Sequence, residues 1–240
     1  MTLLQVRALC KSFGAVTVAD SLSFEVAEGE AVGILGPNGA GKTSVFNLLS
    51  GTLAPDAGAI WFQGNNVTRL SCAARCRAGM GRTYQIPQPF GKMTVFENCL
   101  VAATAGGRMK TKDSYDHCAT VLRQMRLLGK ANSLAGSLTL LDRKALEVAR
   151  ALTSSPRLLL LDEIAGGLTE AEGVQLVERI QQVHKAGTTI LWIEHIVHVL
   201  LAVVNRLVVI NFGAKVIEGS PTEVMDSQIV RQIYMGMGDL

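Results

Sequence analysis

The sequence predicts an α/β fold: a core of buried parallel strands, interrupted by a helical insertion. Three observations carry that prediction. Ala31–Leu35 is a short β-type run, and the apolar runs Leu158–Leu161 and Thr189–Ile193 suit central parallel strands covered on both faces. The first of them ends in a glycine-rich turn and a helical pattern from Gly41 to Leu49. From Gln88 to Leu152 the periodicity is helical, an insertion of roughly 65 residues in a chain otherwise α/β. The expected division is therefore a core of 1–87 with 153–240, and a helical segment of 88–152.

Taken in order, the β-type runs Leu3–Arg7, Val16–Ala19 and Ser23–Val26 come first. The helix from Gly41 carries Val45, Phe46, Leu48 and Leu49 as its apolar residues. The turn Pro55-Asp56-Ala57-Gly58 leads into a further β-type piece, Ala59–Gln63. Within the insertion Ser114–Leu128 shows the helical pattern best. Tyr115, Cys118, Val121, Leu122, Met125 and Leu128 share one face, and Gly129 is the expected stop. After Pro156 a helix over Ala171–His184 separates two strands, and Leu207–Asn211 opens a hairpin through Gly213. Thr188–Phe212 is apolar enough to suggest a membrane span. Glu194, His195, His198 and Arg206 interrupt it, so two buried strands around a helix are expected instead.

Composition narrows the class. Of 240 residues, 48% are hydrophobic and 18% charged, and the net charge of +3 is too small to imply nucleic acid. The five cysteines are odd in number. Cys72 and Cys76 stand one helical turn apart with no histidine or second pair beside them, so reduced thiols of a cytosolic protein are expected. Arg7, Lys11 and Asp20 break the N-terminal region before a signal-peptide core can accumulate.

The chemistry begins at Gly36-Pro37-Asn38-Gly39-Ala40-Gly41-Lys42-Thr43, which satisfies G-x-x-x-x-G-K-[ST]. Glycines let such a loop wrap with its N–H groups inward, and the following helix turns its N-terminus to the phosphates. Lys42 is expected on the β- and γ-phosphates of ATP and the Thr43 hydroxyl on Mg²⁺. The strand-like Leu158–Leu161 ends abruptly in Asp162 and Glu163. Acids at the C-terminal end of a parallel strand face the crevice where ligands bind. Asp162 is expected to complete Mg²⁺ coordination, and Glu163 to orient or deprotonate the attacking water.

Those motifs fall in the order found in the ATPase subunits of ABC transporters. Gly36–Ser44, Gln85 in Arg82-Thr83-Tyr84-Gln85, Leu146–Leu152, Leu158–Glu163 and His195 resemble that family over essentially the whole chain. Ile193-Glu194-His195 and the ending Tyr234-Met235-Gly236 look most like the branched-chain amino acid importer group. The resemblance implies a P-loop NTPase fold with an antiparallel β subdomain and a helical signature subdomain. It also implies roles that composition would not flag: Phe13 against adenine, Ser44 near the α-phosphate, Gln85 sensing Mg²⁺ and the γ-phosphate, and His195 contacting the γ-phosphate. As partners it implies a second ATPase subunit, integral membrane permease subunits and, indirectly, an extracytoplasmic substrate-binding protein. The chain would then sit peripherally on the cytoplasmic face of the membrane. A non-transport ABC ATPase, or a regulatory subunit with impaired hydrolysis, would be the alternatives.

The chain departs from the family at the signature peptide, Leu-Ser-Gly-Gly-Gln. Counting back from Leu152, the matching residues are Leu138-Thr139-Leu140-Leu141-Asp142. In the family this peptide caps the nucleotide held by the other subunit, and leucines in place of glycines obstruct close approach of the backbone. Asp142 either brings a negative charge near a polyanion or turns away to cap its helix. Ser-Ala-Leu-Asp after the acids is replaced by Gly166-Gly167-Leu168-Thr169, and Ile196 follows His195 where Asp is frequent. The expectation is an unequal pair, with this chain as one half of a heterodimer.

Overall fold

The structure is a computed structural model and describes residues 1–107 and 109–235. In chain order, β1 (Thr2–Phe13), β2 (Val16–Ala27), β3 (Ala31–Leu35), α1 (Lys42–Ser50), β4 (Ala57–Phe62) and β5 (Asn65–Asn66) come first. Next are α2 (Cys72–Arg77), β6 (Met80–Arg82) and α3 (Val95–Val101), which runs into a π-helical turn over Ala102–Gly106. They are followed by α4 (Thr111–Gln124), α5 (Leu140–Thr153), β7 (Leu158–Asp162), α6 (Glu170–Lys185) and β8 (Thr189–Ile193). The chain closes with α7 (Val197–Leu201), β9 (Arg206–Asn211), β10 (Ala214–Gly219), α8 (Pro221–Asp226) and α9 (Gln228–Met235). Gly236, the last residue of the Tyr-Met-Gly ending, lies outside the described residues. Contacts divide the chain into two compact units, Met1–Cys72 with Leu191–Leu240, and Ala73–Ile190.

In the first unit β1 is the hub of an antiparallel sheet ordered β2-β1-β4-β5. The runs Val16–Ala19 and Ser23–Val26 belong to one strand, because the polar Asp20-Ser21 between them interrupts the apolar pattern without ending the ladder. Ser21 takes a positive φ of 48° and the register shifts there, so the strand bulges and continues. β3, buried at all five residues, pairs in parallel with β9, which turns into antiparallel β10. The turn residues Phe212 and Gly213 both have positive φ, the geometry that matches strand twist in a two-residue hairpin. Thr188–Phe212 is thus β8, α7 and β9, and no helix among the described residues is long and apolar enough to cross a membrane.

In the second unit β6 pairs in parallel with β7, and the helices α3, α4, α5 and α6 pack on one another. α2 and β6 were not anticipated. β6 is three residues long, too short for alternation to show, and it is defined by pairing with Leu158–Leu160. α4 stops at Gln124, earlier than the Gly129 expected. Arg126 adopts a left-handed φ of 55° that ends the helix, and Leu128 begins a separate 3₁₀ turn and is partly exposed. Tyr115, placed on the apolar face of α4, is half-exposed and packs its ring 5.3 Å from that of Phe96.

Candidate functional site

The first unit holds Phe13, the phosphate loop and His195; the second holds Gln85, the two acids and the signature-like peptide. Each part is built within its own unit.

The loop leaves buried β3 at Gly36 and enters α1 at Lys42. Two glycines are required by close approach. A Cβ at Gly36 would lie 2.1 Å from the carbonyl oxygen of Ile210, and one at Gly41 would lie 2.2 Å from that of Val18. The β9–β10 turn braces the loop, with Gly213 N–H donating to Ala40 O at 3.0 Å and Gly213 O accepting from Asp20 N–H at 3.0 Å. Lys42 is buried and its ammonium folds into the loop, donating to Gly36 O at 2.7 Å and Pro37 O at 3.0 Å. Asn38, Gly39 and Thr43 are exposed, and Ser44 is half-buried. α1 begins without a side-chain cap and with no acid in its first turn. Its first N–H groups therefore form an electropositive end suited to phosphate.

Phe13 is about half-exposed where β1 turns into β2, with the Lys11 ammonium 5.3 Å from its ring centre. His195 follows β8. The carboxylate of Glu194, itself fully buried, accepts the His195 backbone N–H at 3.1 Å and stands 3.3 Å from its Nδ1. Ile196, in place of the family's Asp, gives α7 no side-chain cap.

In the second unit β7 delivers Asp162 at its buried end, and Glu163 takes a left-handed φ of 45° immediately after. Gln85 Nε2 donates to Glu163 Oε2 at 2.6 Å, which brings two of the expected site residues together. Asp162 is paired with Arg82 at 2.9 Å, and its N–H donates to the Thr83 hydroxyl at 3.2 Å. α5 holds the Gln85 segment from one face. Buried Lys144 donates to Gln85 O at 3.1 Å and Glu163 O at 3.4 Å, and Arg150 donates to Gln88 O at 3.0 Å. Glu147, between them, accepts from the backbone of Gln88 and Tyr84. Burial pushes its carboxyl up, against the pull of Arg150.

At the signature-like peptide Thr139 is the N-cap of α5, accepting the Asp142 N–H at 3.3 Å and donating to Asp142 Oδ2 at 2.9 Å. Lys130 also pairs with Asp142, which is only 6% exposed. Asp142 thus turns inward, but it is not the cap: its carboxylate bonds the Thr139 hydroxyl and Lys130, and the Thr139 side chain caps α5. Leu138 and Leu141 are buried in their own unit, and only Leu140, 40% exposed, stands outward. The replaced Gly166–Thr169 stretch keeps a working cap: Thr169 and Glu172 form a capping box at the start of α6.

Sequence reasoning gave no role to Arg82, Thr83, Lys144, Glu147 or Glu194. Signals existed for two. Lys144 is a charge on the apolar stripe that also carries Leu141 and Val148, and Glu194 is a charge closing an apolar strand. Arg82 and Thr83 had none beyond standing next to Gln85.

A profile of the ABC transporter family matches residues 19–166. The high-affinity branched-chain amino acid transport ATP-binding protein LivG of Salmonella typhimurium is 36% identical over 98% of both chains. The lipopolysaccharide export system ATP-binding protein LptB of Acidithiobacillus ferridurans is 34% identical, over 98% of this chain and 97% of its own. Among solved structures, the ADP conformation of MJ1267, an ATP-binding cassette of an ABC transporter, superimposes with a TM-score of 0.90 at 28% identity. That match covers 98% of this chain and 99% of the other.

Proposed function

The chain belongs to the ABC transporter family, as an ATP-hydrolysing subunit, and from that premise we propose that it powers an importer of branched-chain amino acids or related small amino acids and amides. The LivG likeness supports this cargo over the one named for LptB by a small margin in identity. Its place would be the cytoplasmic face of the membrane, held there by permease subunits, with a substrate-binding protein delivering cargo from outside. Purifying the neighbouring binding protein and measuring its ligand tests the cargo directly; a lipid ligand would overturn it.

The roles follow from the residues. The loop amides of 36–44 and the Lys42 ammonium hold the phosphates of ATP, and Phe13 offers its exposed ring to adenine. The Thr43 hydroxyl, the Asp162 carboxylate and the Gln85 amide are donors of the hard kind that Mg²⁺ takes. Gln85 turns its nitrogen to Glu163, so its oxygen is the end left for a cation. Mg²⁺, when bound, neutralises phosphate charge in the transition state. Glu163 orients the water that attacks the γ-phosphate, and His195 contacts that phosphate. The observation that carries this reading is the 2.6 Å bond between Gln85 and Glu163, which aims a strand-end carboxylate through a side chain of the site. Glu163→Gln is expected to keep ATP binding and lower hydrolysis by about 10²–10⁴. Normal turnover in that variant would remove Glu163 from the mechanism.

The geometry of the α5 N-terminus favours an unequal pair. The Thr139 hydroxyl is engaged with Asp142 as both donor and acceptor, and Leu140 stands where the family has glycine. A site capped by this peptide would be weak, whereas the site on this chain's own Lys42 and Glu163 would be sound if a partner supplied a good signature. In the reconstituted pair, Lys42→Ala here should abolish most turnover and the equivalent change in the partner should cost less. The reverse ranking would overturn the assignment.

A further inference from the structure

We propose that Glu194 is the positioning residue for His195: it fixes the imidazole so that the Nε2 edge serves the nucleotide. The inference rests on the reading that His195 contacts the γ-phosphate.

Glu194 is the first residue beyond β8, whose five residues are all buried, and its own exposure is 0%. A wholly buried carboxylate is costly unless its oxygens are hydrogen-bonded, so an apolar residue would be the default continuation of such a strand. What the acid does there is specific. Its Oε1 accepts the main-chain N–H of the next residue at 3.1 Å and stands 3.3 Å from Nδ1 of that residue's ring. One oxygen therefore sets both ends of the His195 side chain, the backbone it leaves and the ring nitrogen nearest to it.

Two consequences follow. The ring of His195 has 52% of its surface exposed, so packing leaves its rotamer under-determined, and the carboxylate 3.3 Å from Nδ1 is a contact that holds it. A carboxylate oxygen 3.3 Å from Nδ1 favours the proton on that nitrogen, and the partner of one ring nitrogen decides what the other can do. Nε2 is thus the edge turned to the ligand. Glu194 touches neither phosphate nor water in this scheme. It acts through His195, and its removal should appear as a loss of turnover rather than of ATP binding.

The test is a mutant cycle in the assembled transporter, reading kcat and KM for ATP. His195→Ala is expected to lower kcat by about 10²–10⁴, the range for a group acting in the transition state. Glu194→Ala should lower kcat about tenfold with KM within about twofold, and Glu194→Gln, which retains an acceptor oxygen in place, should restore most of it. In the His195→Ala background Glu194→Ala should cost nothing further. Should Glu194→Ala fail to fold, Glu194→Asp, which withdraws the oxygens by one methylene, replaces it in the same comparison. Equal losses in both backgrounds, or a Gln variant as deficient as the Ala variant, overturn the positioning role. Normal turnover in His195→Ala alone overturns instead the reading of His195, a result distinct from either.

Discussion

Lys144 shows how a single side chain can tie two functional segments together. It is 4% exposed, and its ammonium donates to the backbone carbonyls of Gln85 and Glu163, the two residues whose side chains also meet. A charged donor to a carbonyl is worth about 1.5–3 kcal/mol, more than a neutral one. Lys144→Met keeps the length and apolar stem of the side chain and removes the donor. It should lower the unfolding free energy by about 1–3 kcal/mol and reduce turnover while leaving ATP affinity nearly intact. Urea unfolding with nucleotide titration checks both, and unchanged stability would mean that the two carbonyls do not depend on this lysine. The residues of the phosphate loop and the paired acids were legible in the sequence because their chemistry lies in local spacing. Arg82 and Glu147 were not, because their partners stand on other elements up to 80 residues away, and Lys144, marked only as a charge on an apolar stripe, gave no local sign of the carbonyls it meets.

At the scale of elements, α5 illustrates why a changed motif need not unmake its helix. Thr139 caps its N-terminus by accepting the Asp142 N–H, and the Asp142 carboxylate accepts from the Thr139 hydroxyl while pairing with Lys130. The acid also lies in the first turn, where the helix dipole favours it. Thr139→Ala should cost about 1 kcal/mol of stability and Thr139→Ser far less. Restoring glycine would be uneven. Leu140→Gly removes an exposed side chain and costs only about 1 kcal/mol of helix propensity, whereas Leu141→Gly empties a buried site and should cost about 2–5 kcal/mol in addition. Thermal melts of the four variants rank them; equal losses at 140 and 141 would contradict the burial described. In the sequence this helix appears only as part of the helical stretch 88–152 and, by resemblance, as the helix that follows the signature peptide. Sequence reasoning missed α2 and β6, which are six and three residues long, and it split β2 at a bulge. Short elements and bulges are set by pairing partners rather than by their own period.

For the whole molecule, ionisation links the fold to pH. Among the described residues four carboxyls are held below their ordinary range. The Lys11 ammonium does this for Asp56, the Thr94 N–H for Glu97 and the Ser220 hydroxyl for Glu223. For Glu30 burial acts in the opposite sense, but Arg206 and the Ala27 N–H outweigh it. Glu147 goes the other way, pushed up by burial. A carboxyl lowered in the folded state binds fewer protons folded than unfolded, so its stabilisation is present above the unfolded pKa, about 3.9 for Asp56 and about 4.3 for the glutamates, and is lost as pH falls through the folded value. Glu147 reverses the sign: its contribution is full below the unfolded value and is lost as pH rises through the raised one. Stability should therefore climb with pH up to about 4.3 and, above it, lose the Glu147 contribution as pH rises through the raised value. Glu30→Gln should flatten the climb, because it removes one lowered group and leaves Arg206 with its bond to Glu218. Glu147→Gln should remove the later loss and leave the acid limb in place. Melting temperatures measured from about pH 3 to pH 8 separate these effects, and a Glu147→Gln profile parallel to that of the parent would show that this carboxyl has the same pKa folded and unfolded, against the raised value that its burial implies.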